Sequence, residues 1–177
     1  MVPSKSMQNV AEHDLSDNSA LFGIPLDSGC EVNYAPLRQA LSEGDFQQAD
    51  TLTRQLLCQA ASYPTGAGAA TRGWLYFTDV RRIPVADLQT IDQLWRVASQ
   101  DRFGFSVQRR IWISLGKQWD RLWPAIGWKN GSHWTRFPDE FNWEMSAPKG
   151  HLPLSNQLRG AQVMTALLNH PAWEQSV

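Results

Sequence analysis

The chain has 177 residues, 42% hydrophobic and 19% charged, which is typical of one globular domain. Its net charge of −1 argues against a strongly basic nucleic-acid-binding protein, and its apolar runs are too short to cross a membrane. Nine residues are tryptophan, which combines a large apolar area with a polar N–H group and suits surfaces that grip large or flat molecules.

The first 33 residues predict a flexible N-terminal tail, and residues 34–177 predict a folded domain. The tail is polar, has no apolar core like that of a signal peptide, and carries acidic residues that a transit peptide avoids. Within it, Ala20-Leu21-Phe22 is apolar enough to dock elsewhere. Cys30 and Cys58 match no metal-ligand or redox spacing, so a reducing cytoplasm is expected.

Apolar residues recur at helical spacing from the start of the folded domain. The spacing of Tyr34, Leu37 and Leu41 predicts a first helix. Asp45 then caps a second helix, with Gln48 three residues later as in a capping box. The two helices are therefore expected to form a hairpin.

A third helix is predicted to begin at Pro84, because proline is favoured at helix starts. Its apolar residues share one face: Leu88, Ile91, Leu94, Trp95 and Ala98. Helical spacing continues from Val107 to Leu122 with a break at Gly116, and a last helix is predicted from about Leu154 to Asn169. No segment has the pattern of a strand, so the predicted fold class is all-α.

The sequence predicts neither a catalytic site nor a metal site. Its four histidines form no metal motif, and it has neither a Gly-x-Ser-x-Gly motif nor a nucleophilic-cysteine signature. The stretch from Arg102 to Val107 is similar to an RNA-recognition strand, but it lacks one of the glycines, and no other strands are visible to complete the required sheet. We expect instead that Gly104 forms a tight turn and that Phe103 and Phe105 are buried.

The stretch from Gly127 to Pro153 has no sustained helical or strand period. It nevertheless holds six large apolar residues: Trp128, Trp134, Phe137, Phe141, Trp143 and Met145. These side chains either roof a small helical core or form an apolar groove for a flat ligand. Basic residues flank them in sequence: Lys129, Arg136, Lys149 and Arg159. An apolar face with basic edges suits a planar molecule that bears carboxylates.

Six stretches between Tyr34 and Trp173 carry a family resemblance. In chain order they are GDFQQAD (44–50), DLQTIDQLW (87–95), RFGFSVQRR (102–110), FPDEF (137–141), GHLPL (150–154) and LRG (158–160). Together they closely resemble the "genomes uncoupled" tetrapyrrole-binding regulators of magnesium chelatase, which occur in cyanobacteria and plastids. The resemblance implies an all-α domain shaped like a cupped hand, with a long aromatic palm loop over residues 134–156.

The same resemblance implies that the palm binds protoporphyrin IX and magnesium protoporphyrin IX. The implied ligand-binding residues are Trp134, Phe137, Phe141, Trp143, His151, Leu152, Leu154, Asn156, Arg159 and Gln162. Within that set, Arg159 matches an arginine that meets a porphyrin propionate, and Asn156 matches a polar residue near the bound metal. Gln162 stands where some cyanobacterial members carry a second arginine.

The resemblance further implies a non-enzymatic activator that stimulates magnesium chelatase in chlorophyll biosynthesis, acting with the large porphyrin-binding subunit. We expect a monomer in a cyanobacterial cytoplasm rather than a plastid, compatible with peripheral association with a membrane and without a nucleic-acid partner. About 33 residues precede the core, so we expect the N-terminal helical bundle of some members to be absent. The alternative is a helical protein-interaction or sensory module that docks a partner through its tryptophan-rich surface without binding pigment.

Overall fold

The structure is a computed structural model that describes residues 18–155 and 161–174. In chain order the elements are α1 (Ala35–Ser42), α2 (Phe46–Ala61), α3 (Ala69–Arg72), α4 (Phe77–Val80), α5 (Val85–Ala98), α6 (Phe105–Ser114), α7 (Trp119–Ala125), β1 (Lys129–Asn130), β2 (His133–Trp134), α8 (Gln162–Leu168) and a 3-10 helix (Pro171–Trp173). The fold is helical, as predicted. The short antiparallel hairpin of β1 and β2 is the exception that the sequence pattern did not predict.

Helices α1 and α2 form the predicted hairpin. The Asp45 carboxylate accepts a hydrogen bond from the Gln48 backbone N–H at 2.9 Å, which satisfies one of the free donors at the start of α2. Helix α5 packs against this hairpin through Trp95, which is fully buried. The Trp95 ring stacks on Phe46, and its indole N–H donates to the Thr53 hydroxyl at 2.9 Å. A single core therefore joins the three helices.

The prediction of a flexible tail over residues 1–33 is wrong for residues 21–33. Leu21, Ile24 and Cys30 are buried in the core. Asp87 on α5 is also buried, and a buried carboxylate needs hydrogen-bond donors. Ser28 Oγ and the Gly29 backbone N–H each donate to it at 2.7 Å, so the segment is held in place. Residues 1–17 lie outside the described part of the chain.

The RNA-recognition pattern near Arg102 has the structural explanation that we expected. Phe103 and Phe105 are both fully buried. Gly104 has a φ of +132°, and a Cβ atom there would lie 2.8 Å from the Asp92 carboxylate, so glycine is required. The two phenylalanines are core residues and offer no surface on which a base could stack.

The last helix is shorter than predicted. It spans Gln162–Leu168, whereas the apolar spacing predicted a start near Leu154. The Leu154 backbone N–H does not enter a helix, because it donates instead to the Asp50 carboxylate of α2 at 2.7 Å. Within the residues that the structure describes, no helix is both long enough and apolar enough to cross a lipid bilayer.

Four indole rings from α6, α7 and the residue before β1 form a continuous stack, which we call the tryptophan stack. Its members are Trp112, Trp119, Trp123 and Trp128, and successive ring centroids are 4.8, 5.1 and 5.7 Å apart. At one end, the Trp128 N–H donates to the His151 carbonyl at 2.8 Å. The stack therefore ties the chain before the hairpin to the later part of the palm loop.

Candidate functional site: an aromatic cavity

A cavity of about 990 Å³ opens between α2, α8 and the loops that face them. Its buried apolar lining consists of Leu57, Cys58, Leu75, Leu154, Val163 and Leu167. Three aromatic side chains also line it: Trp74, Trp134 and Phe137. We call this feature the aromatic cavity. Its polar lining includes the side chains of Arg54, His133 and Arg136.

The hairpin of β1 and β2 places Trp134 at the cavity. Trp134 pairs with Lys129 across the hairpin, and the lysine ammonium lies 5.1 Å from the centre of the Trp134 ring. On the side of the tryptophan stack, the Trp134 ring contacts Trp123 at a tilt, with the centroids 5.8 Å apart. Trp134 remains 46% exposed, so the hairpin leaves part of an indole ring available to a ligand.

Phe137 lies in the loop that follows the hairpin and is 49% exposed. Trp143 meets it edge to face, with the ring centroids 6.0 Å apart. Trp143 is itself held by a hydrogen bond from its indole N–H to the Pro138 carbonyl at 3.1 Å. Trp143 therefore supports a ring that lines the cavity. It is not itself one of the described residues that line the cavity.

Three of the residues expected to contact a ligand are buried in the core instead. Phe141, His151 and Leu152 do not line the aromatic cavity, and Phe141 is only 5% exposed. The His151 ring bridges the end of α7 and the loop: Nδ1 lies 2.6 Å from the Ile126 carbonyl, and Nε2 accepts from the Asn142 backbone N–H at 3.3 Å. In this placement the three side chains build the loop rather than face its open side.

The remaining expected residues divide into three cases. Leu154 lines the cavity. Gln162 is exposed at the start of α8 and is not part of the lining, whereas its neighbour Val163 is. Asn156 and Arg159 lie outside the described residues.

Arg54 and Trp74 are among the contributors to the cavity that sequence reasoning missed. Trp74 follows α3, and Arg72 lies over its ring at 4.9 Å and over the ring of Tyr76 at 4.5 Å. This contact fixes the short aromatic run that borders the cavity. A usable signal was the aromatic run itself, next to an arginine and a glycine-rich loop.

Arg54 could have been found from the helical spacing of α2. Arg54 lies four residues after Asp50 and three and four residues before Leu57 and Cys58, so it shares one helical face with them. Asp50 is fully buried, and burial raises its pKa to about 6, although the Leu154 N–H and the Arg54 charge both act to lower it. An aspartate on the apolar face of a helix becomes buried, so its carboxylate needs a polar partner from another part of the fold.

No cluster of three or more histidine, cysteine, aspartate or glutamate side chains suited to a metal ion occurs in residues 18–155 and 161–174. The groups that line the cavity are mainly apolar and aromatic, with cationic side chains among them. Such a lining can bind a flat apolar molecule and neutralise acidic groups at its edge.

Comparison with solved structures gives the same fold. The structure of GUN4 from Chlamydomonas reinhardtii is 39% identical, with a TM-score of 0.82 over 90% of this chain and 99% of that chain. The ligand-free structure of Arabidopsis thaliana GUN4 is 42% identical, with a TM-score of 0.70 over 78% of this chain and 96% of that chain.

Curated relatives extend the comparison to whole proteins. A Ycf53-like protein of Synechocystis is 52% identical over 152 residues, which are 86% of this chain and 64% of that protein. The chloroplastic tetrapyrrole-binding protein of Arabidopsis thaliana is 41% identical over 77% of this chain and 54% of that protein. The chain therefore spans 64% and 54% of the lengths of these two relatives. A model of the GUN4-like family matches residues 27–171, and the chain belongs to that family.

Proposed function

We propose that the chain binds protoporphyrin IX and magnesium protoporphyrin IX in the aromatic cavity and stimulates magnesium chelatase in chlorophyll biosynthesis. The observation that carries the proposal is a large cavity that is lined by apolar and aromatic side chains and has cationic groups among them. The Arabidopsis relative that is 41% identical is named a tetrapyrrole-binding protein, which supports the same ligand class.

The dimensions and chemistry of the cavity suit a planar macrocycle. Its volume of about 990 Å³ is at the upper end of the range for small-molecule pockets. Trp134 and Phe137 each leave about half of their surface exposed, and a porphyrin that covers them removes apolar area from water. If about 300 Å² of apolar surface is removed, the gross gain is about 8 kcal/mol, before the cost of ordering and association.

The proposal assigns the chain a carrier role without a reaction of its own. The apolar lining holds the macrocycle, and the cationic side chains meet its propionates. The pigment is then presented to the large porphyrin-binding subunit of the chelatase. We propose a monomer that works in a cyanobacterial cytoplasm and is compatible with peripheral membrane association.

A spectroscopic titration tests pigment binding. Purified chain is mixed with protoporphyrin IX, and we expect a red-shifted Soret band together with quenching of tryptophan fluorescence. The carrier role is tested by adding the chain to purified magnesium chelatase and measuring the rate of magnesium protoporphyrin formation. Absence of a spectral change with tens of micromolar folded protein would contradict the proposal and favour the protein-interaction module.

A further inference from the structure

Arg54 is held in the aromatic cavity by contacts on two sides. Its guanidinium carbon lies 4.9 Å from the centre of the Phe137 ring, which is a cation–π arrangement. Its Nε atom is 3.3 Å from Asp50 Oδ2, one helical turn earlier on α2. That contact is an ion pair without hydrogen-bond geometry, because neither of the two atoms has a hydrogen-bond partner among the described residues. The two contacts together favour one orientation of the guanidinium before any ligand arrives.

The outer edge of the same guanidinium is available to a ligand. Within the described part of the chain, its two terminal nitrogens make no hydrogen bond, and the side chain is 40% exposed. A guanidinium presents its donors as a planar fork that matches a carboxylate, and a fork that is already oriented loses less freedom when it binds. This geometry is suited to an acidic group at the edge of a flat ligand.

Asp50 connects this cation to the other side of the cavity. Its Oδ1 atom accepts the Leu154 backbone N–H at 2.7 Å, and Leu154 itself lines the cavity. The same carboxylate therefore fixes the direction of the Arg54 side chain and the position of a lining residue far away in sequence. Asp50 is fully buried and does not line the cavity, so it acts only through these two partners.

We propose that Arg54 binds a carboxylate of the ligand in the aromatic cavity, and that Asp50 is the positioning residue that orients its guanidinium. The inference rests on the proposed function, because it takes the ligand to be a porphyrin with free propionates. It adds a carboxylate-binding group on α2 to the basic residues that the sequence pointed to around the palm loop.

The test compares protoporphyrin IX with its dimethyl ester, which lacks the two negative charges. In Arg54→Gln we expect affinity for the free acid to fall about tenfold, the lower end for a charged hydrogen bond, because the site is partly open to solvent. Affinity for the ester should stay within about twofold, which also shows that the cavity is intact. Arg54→Lys should recover only part of the loss, since an ammonium cannot form the planar fork.

Two other arginines provide matched controls. Arg121 is exposed on α7 and does not line the cavity, so Arg121→Gln should bind both ligands like the wild type. Arg136 lines the cavity, but in the described residues no hydrogen bond or ring contact holds its guanidinium. Arg136→Gln should therefore lower affinity for the free acid less than Arg54→Gln does, because its side chain loses more freedom on binding.

Asp50 is tested by two substitutions that separate its two contacts. In Asp50→Asn the side-chain oxygen still accepts from Leu154, but the attraction for Arg54 is lost; we expect the preference for acid over ester to fall with little change in ester affinity. In Asp50→Ala both contacts are lost, and binding of both ligands should weaken. An unchanged acid-to-ester preference in Asp50→Asn would overturn the positioning role.

The outcomes distinguish this inference from the proposed function. If wild-type chain binds neither porphyrin, the proposed function fails and the inference fails with it. If wild-type chain binds the free acid and Arg54→Gln binds it equally well, or loses acid and ester to the same extent, only the role of Arg54 is overturned.

Discussion

Two groups of aromatic side chains lie side by side in this fold, the tryptophan stack and the rings of the aromatic cavity. In the stack, indole rings cover one another, and the Trp128 N–H has a carbonyl partner. In the cavity, Trp134 and Phe137 are supported on one side by Trp123 and Trp143 but stay about half exposed. Aromatic content alone therefore does not identify a ligand site; the candidates are rings that stay exposed and also line a cavity.

The largest expected effect breaks the tryptophan stack. Trp128→Ala should lower the free energy of unfolding by roughly 3–5 kcal/mol, because it leaves a cavity in the core and removes the donor to the His151 carbonyl. The measurement is urea unfolding followed by circular dichroism. Trp134→Ala is the matched control and should change stability much less, since its ring is nearly half exposed. Equal losses of unfolding free energy in Trp128→Ala and Trp134→Ala would contradict the distinction between buried rings of the stack and exposed rings of the cavity.

A phenylalanine pair sharpens the same comparison within the palm loop. Phe141 is buried against Trp143 and His151, so Phe141→Ala should cost roughly 3–5 kcal/mol of folding free energy. Phe137→Ala should leave stability nearly unchanged and weaken porphyrin binding by roughly 1–3 kcal/mol, about the range for burying one large apolar side chain. Both quantities are measured for each variant, by chemical unfolding and by porphyrin titration.

Phe22 is the control for exposure alone. It is as exposed as Phe137, but it lies under Arg38 and does not line the cavity. Phe22→Ala should leave porphyrin affinity unchanged. A comparable loss of affinity in Phe22→Ala and Phe137→Ala would mean that the pigment binds to exposed rings without selecting the cavity.

Helical spacing was enough to predict α1, α2, α5, α6 and α7, whereas the sites where the chain leaves regular structure were not predictable. The α1–α2 hairpin follows from local signals such as the cap at Asp45. The docking of residues 21–33 depends on Asp87, and the late start of α8 accompanies a bond from Leu154 to Asp50. Both contacts join residues far apart in sequence, so no window of the sequence contains them.

The resemblance pointed to the loop that carries Trp134 and Phe137, but it could not divide the rings of that loop between core and cavity. The loop has no period that would show which side chains point inward, so Phe137 and Phe141 look alike in sequence. Arg54 was missed for a related reason: it lies on a helix that contributes most of its face to the core, far in sequence from the loop. Its separation from Asp50 by one turn was the available signal.

Asp50, which contacts two residues that line the aromatic cavity, makes the stability of the fold depend on pH. Burial raises its pKa to about 6 in the folded protein, against about 3.8 for an ordinary aspartate side chain. The folded state therefore takes up a proton before the unfolded state does, and the contribution of Asp50 to stability rises as pH falls from about 6 to 4. The full effect is roughly 2–3 kcal/mol. Because other groups titrate in the same range, the contribution is measured as a difference: the free energy of unfolding of wild type relative to that of Asp50→Asn should increase from about pH 6 to about pH 4, and parallel curves would contradict the assignment.

His151, whose carbonyl accepts the Trp128 N–H of the tryptophan stack, contributes a pH dependence of stability with the opposite sign and a smaller size. Burial lowers its pKa, and the contact with the Ile126 carbonyl only partly offsets this. The unfolded state therefore binds a proton first, so this contribution to stability is complete above the ordinary histidine pKa and is lost as pH falls below about 6.5. Between about pH 7 and 5, the free energy of unfolding of wild type should include this loss, and His151→Gln should make the loss smaller. It should not vanish, because burial also lowers the pKa of His170.

His133→Gln is the control, since that ring is exposed beside Glu140. A His151→Gln profile parallel to wild type would show that the ring is not the group that titrates.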